Sequence, residues 1–92
     1  MNEKNKQILE AGLRGEEVSL KGVIVQGDRD ERLNMDSVIL STDVELDLVI
    51  ERDVKGDELF DHLRKLVRVN GFLGEDKNGR RTIRIANYEI LD

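Results

Sequence analysis

No cysteine and no proline occur in this 92-residue chain, and its aromatic residues amount to one tyrosine and two phenylalanines. Without cysteine there is no disulfide, no thiolate metal site and no cysteine nucleophile, so stability must come from packing and hydrogen bonding. That composition suits a reducing, cytoplasmic-type compartment. With aromatics at 3% the core must be aliphatic. No run of about 18 apolar residues occurs, which leads us to expect no membrane span, and the polar stretch 1–7 carries no apolar run of the signal-peptide kind. The length supports one core, and we expect a single domain over 1–92.

What the chain has in abundance is charge, at 38% of residues, with a net value of −5. The excess is uneven: side chains of residues 1–30 sum to about −1, those of 31–61 to about −7 and those of 62–92 to about +3. A general binder of phosphate backbones would usually be basic over its whole face, so this layout favours a protein partner, or a second copy of the chain, over nucleic acid.

Apolar spacing divides the chain. Residues 4–13, with Ile8, Leu9 and Leu13, predict a short helix that must dock its apolar side or fray. From Glu17 the period becomes two: Val18 and Leu20 alternate with polar residues, and Val23 and Val25 continue on the other parity across Gly22, which predicts a β-bulge at that glycine. Residues 27–32 read as a charged loop and Val38-Ile39-Leu40 as a second strand. Val44, Leu46, Leu48 and Ile50 then alternate with Glu45, Asp47 and Val49 as a third strand with one buried face. Residues 57–66 predict a helix capped by Asp57, with Leu59, Leu63 and Leu66 on one side.

Val67 and Val69 to Leu73 form a fourth strand, and Ile83, Ile85 and Ile90 anchor a fifth. A three-residue turn Lys77-Asn78-Gly79, with Gly79 left-handed, sets Leu73 opposite Ile83 and matches core to core. A two-residue turn would set Leu73 opposite Arg84 and mix the faces. In the matched register Phe72 lies beside Arg84 and Arg68 beside Tyr88, all on the outer face.

The order helix, β, β, β, helix, β, β, carried by residues 18–27 as a long curled strand, 57–66 as a plug and 67–73 with 80–91 as a closing hairpin, resembles the OB (oligonucleotide/oligosaccharide-binding) fold over residues 17–91, in the form of a small bacterial-type domain. The fold expected is mainly β: a five-stranded OB-like barrel (βββ-α-ββ) with a short N-terminal helix. The resemblance implies a ligand face across strands two and three, residues 36–50, flanked by loops 28–33 and 74–79. The third strand departs from nucleic-acid-binding members, because Glu45 and Asp47 face outward where those members tend to place aromatic and basic residues. Small barrels that carry haem or sit in the periplasm also look similar, but His62 stands alone on the predicted helix.

Six residues form the candidate binding patch: Arg68, Phe72, Arg80, Arg81, Arg84 and Tyr88, the one place where basic and aromatic residues converge. The plainer reading has Phe72 completing the core at a barrel end, with the arginine stems lying over apolar surface. Asp43, Glu45 and Asp47 alternate on one strand face, which reads as a solvated face that discourages edge pairing rather than as a cation site. Asp28, Asp30 and Glu31 miss the calcium-loop pattern, which needs Gly at Leu33 and Glu at Ile39. His62 has no second His or Cys, and no nucleophile, base and oxyanion donor can be placed together. The expectation is therefore a non-enzymatic binding module without cofactor or metal, with protein or self as partner. The alternative is single-stranded nucleic-acid binding through the strand 4–5 hairpin.

Overall fold

A computed structural model of the chain describes residues 3–30 and 35–92. The elements run α1 (Glu3–Leu13), β1 (Val18–Asp30), β2 (Met35–Thr42), β3 (Asp47–Ile50), α2 (Val54–Glu58) with a 3-10 turn (Leu59–His62), β4 (Leu66–Glu75) and β5 (Arg81–Ile90). The strands close into a barrel in the order β1-β2-β3-β5-β4, with β4 returning to β1. All pairings are antiparallel except β3 with β5. The fold is thus mainly β, an OB-like five-stranded barrel with an N-terminal helix. No helix among the described residues is long and apolar enough to cross a membrane.

The aliphatic core follows from strand alternation. Val18, Leu20 and Ile24 of β1, Val38 and Leu40 of β2, Leu48 and Ile50 of β3, Val67 and Val69 of β4 and Ile83 and Ile85 of β5 all point inward and are buried. Their opposite-parity neighbours form the outer surface.

β1 keeps one parity through Gly22, contrary to the bulge expected there: Ile24 lies in the core, while Val23 and Val25 face outward. Gly22 pairs with Thr42 on one side and Val67 on the other, and a Cβ on it would overlap the Ser41 carbonyl oxygen. The glycine permits close approach of strands rather than a register slip. A shift does occur in β1, between Gln26 and Arg29, where the chain carries one residue more than β2. Residues 27–30 accordingly belong to β1 and not to a loop, and the remainder of the expected loop, from residue 31, lies outside the described residues.

Two further corrections come from local chemistry. Residues 43–46 form a turn before β3: Thr42 Oγ1 donates to the Leu46 carbonyl (2.8 Å) and accepts from its amide (3.1 Å), and Glu45 takes a left-handed φ of 63°. Val44 and Leu46 are still buried, so their inward parity survives although Asp43 and Glu45 do not lie on a strand. The predicted helix 57–66 is also replaced. Asp53, not Asp57, is the cap, accepting from the Gly56 amide at 2.8 Å, and the helix tightens into the 3-10 turn after five residues. Only Leu59 enters the barrel, fully buried; Leu63 is exposed and Leu66 begins β4. Leu59 stoppers this end of the barrel, and Phe60 and Tyr88 are partly buried against the same core.

At the other end α1 lies on the barrel through Ile8, Leu9 and Ala11, while Leu13 is exposed instead of docked. Asn5 Nδ2 donates to the Val44 carbonyl at 2.9 Å and ties the helix to the turn before β3.

Candidate functional site

The β4–β5 hairpin takes the expected turn. Gly79 has φ +82°, its amide donates to the Asp76 carbonyl (3.0 Å), and the Asp76 amide donates to the Arg80 carbonyl (2.9 Å). Phe72 faces Arg84 and Leu73 faces Ile83. Nearer the barrel's other end the ladder shifts: Asn70 pairs with Asn87 and Gly71 with Ile85, leaving Ala86 as an extra residue. This bulge reverses the parity of the β5 residues beyond it.

That reversal redistributes the six candidate residues. Arg68 meets Glu89, not Tyr88, and Tyr88 pairs with Val69 on the core-side face. The Tyr88 hydroxyl donates to Glu58 Oε1 at 2.7 Å, and its ring stands 6.2 Å from that of His62. The bond to an ionised carboxylate, helped by partial burial, raises the tyrosine pKa above its usual value. Tyr88 is therefore part of the plug and absent from the outer face. Phe72 and Arg84 do stay together, the guanidinium 5.1 Å from the ring centroid. Arg80 is held by Asp76, Nε to Oδ2 at 2.9 Å, and the amides of Asn78 and Arg80 donate to Asp76 Oδ1 at 2.9 Å each. These bonds, the Arg80 amide foremost, lower the Asp76 pKa. The six residues thus occupy separate places: a stacked pair, a hairpin turn, a strand exposed beside β1 and a plug.

Arg80 and Arg81 instead border a groove that sequence reasoning reaches only through the fold resemblance. The groove, about 610 Å³, has Gly27, Ile39 and Val49 on its floor and Asp47, Glu75, Arg80 and Arg81 on its rim. Ile39 and Val49 belong to a row set by strand pairing that runs beyond the groove: Val25 lies opposite Ile39, Ile39 opposite Val49 and Val49 opposite Thr82. These residues form a row across four strands on the outer face, and the three aliphatic ones are half-buried. Rim charge is mixed, with Arg81 facing Glu75 across the hairpin. The signal that could have found it is aliphatic residues at solvent parity: Val49 follows Glu45 and Asp47 on the exposed side of its segment, and Ile39 sits between two core residues.

Among the described residues no group of His, Asp or Glu could hold a metal ion. The groove offers apolar side chains at its base and charged groups of both signs at its edge. No protein-family model matches the chain, and no curated protein is significantly similar to it.

Proposed function

We propose that the domain is a non-enzymatic protein-interaction module that binds through the outer face of β2 and β3 and the rim of the β4–β5 hairpin, with a second copy of the chain as the partner its charges fit. The observation that carries this reading is the row Val25, Ile39 and Val49, half-buried on the outside of a barrel whose core is already complete. Aliphatic floor with both signs of charge on the rim is the layout of protein contacts, in which an apolar centre is ringed by polar groups. The acidic middle third and basic last third of the chain supply complementary surfaces for self-association. Strand order and plug are consistent with the OB superfamily, in which this same face holds ligands, and that likeness supports the placement.

Sedimentation and amide shifts followed over a dilution series into the millimolar range test the reading. Concentration-dependent shifts at Gly27, Ile39, Asp47, Val49 and Arg81, lost in Val49→Lys, are the expected result. A strict monomer with unchanged shifts would overturn it.

The alternative, single-stranded nucleic-acid binding, draws on the Phe72–Arg84 stack, with Arg68 and Arg81 available for phosphates. It is weakened because Tyr88 and Arg80 are engaged elsewhere. Mixed-sequence single-stranded DNA and RNA at low salt, shifting Phe72 and Arg84 before the groove residues, would favour it.

A further inference from the structure

On the side of the barrel where α1 crosses β1 and β4 lies a second depression, of about 290 Å³, that shares no residue with the groove on β2 and β3. Lys4 of α1, Lys21 of β1 and Arg68 of β4 line it together with Gln7, Ser19 and Asp43. Lys21 and Arg68 are direct partners in the β1–β4 ladder, both exposed. Like charges placed directly opposite each other on a sheet destabilise it. In an acidic chain where Arg14, Arg52 and Arg80 each hold a carboxylate, none of these three cations does so among the described residues. The Asn5 bond to the Val44 carbonyl fixes the first turn of α1, which keeps Lys4 at the rim.

We propose that this depression is an anion site for a phosphate monoester. Charge sets the class: within the lining three cations face the one carboxylate of Asp43, an excess of two, with Glu89 facing Arg68 from β5 outside that lining, and a phosphate monoester carries about −1.5 to −2 at neutral pH. A carboxylate or a phosphodiester brings one charge and leaves half of that excess unmatched. Polar donors complete the set, since the Ser19 hydroxyl and the Gln7 amide can bond phosphate oxygens that the ammonium and guanidinium groups leave free. An anion here also relieves the Lys21–Arg68 repulsion, so binding and barrel closure reinforce each other.

The test compares phenyl phosphate, inorganic phosphate, acetate and chloride at matched ionic strength, read by melting temperature and by amide shifts. Both phosphates are expected to raise the melting temperature, with saturating shifts centred on Lys4, Ser19, Lys21 and Arg68. The double variant Lys21→Gln/Arg68→Gln, which removes the like-charge pair together with the Arg68 charge facing Glu89, is expected to melt close to the parent in chloride yet to bind at least about tenfold more weakly. Lys4→Gln, away from the ladder, serves as a second variant with a smaller loss. A short phosphoserine peptide that binds more tightly than phenyl phosphate assigns the group to a protein ligand, and equal binding assigns it to a free small phosphate. Acetate or chloride acting as strongly as phosphate, shifts that persist in the double variant, or single-stranded DNA saturating the site at lower phosphate concentration than phenyl phosphate would each overturn the assignment.

Discussion

Tyr88 is the only tyrosine in a chain without tryptophan, so its ionisation can be followed alone by near-ultraviolet absorbance. Its bond to Glu58 raises its pKa in the folded state, and folding therefore favours the protonated ring. Stability from this contact is fully present below the unfolded tyrosine pKa and is lost as the pH climbs through the higher folded value. We expect the absorbance midpoint of the native protein to lie above that of the urea-unfolded chain, and Glu58→Gln to bring it down. A midpoint equal in both states would mean the bond does not persist in solution. Leu59 gives the contrasting case, a fully buried side chain on a short helical segment. Leu59→Ala should cost about 2–5 kcal/mol in chemical denaturation, since the barrel strands around it can collapse only partly into the space.

At the level of elements the plug is the instructive one. Asp53→Ala is expected to cost about 1 kcal/mol by removing the acceptor of the Gly56 amide, whereas Asp57→Ala removes an exposed pair with Arg52 and should cost less. Urea denaturation of the two variants decides where the cap lies. The sequence signal for a helix from Asp57 was sound as a pattern, because Leu59, Leu63 and Leu66 do fall at helical spacing. It failed because Arg64, at φ 68°, turns the chain into β4, so that Leu66 pairs with Val23 as a strand residue. The hairpin was legible down to its register at Phe72 and Leu73, since turn chemistry and face matching agreed there. Its continuation was not, because nothing in Ile85-Ala86-Asn87 marks Ala86 as the extra residue, and one extra residue carries Tyr88 to the opposite face. The candidate patch inherited that slip. The groove was legible through the fold resemblance, and Val49 stood at solvent parity beside Glu45 and Asp47, while Ile39 was hidden inside the apolar run Val38-Ile39-Leu40, which reads equally as core.

Over the whole molecule, closure leaves β1 paired along both sides near Gly22, and outer-face side chains, rather than strand edges, are what the barrel wall presents to a partner there. In self-association through the groove, rim ion pairs would add to the apolar contact of the floor, and added salt should weaken it while leaving the fold's own melting temperature little changed. Scattering measurements across a salt series check this. The ring is not equally firm all the way round: β3 and β5 meet at only two residue pairs, Val49 with Thr82 and Ile50 with Ile83, extended by the Glu51 amide bonding to the Ile83 carbonyl at 3.0 Å. This short parallel join is where the wall should breathe first, and the groove lies across it, with Asp47 on one bank and Arg80 and Arg81 on the other. An occupant gripping both banks acts as a staple, so hydrogen exchange at Ile50 and Glu51 becomes a gauge of occupancy for a molecule that never touches those amides.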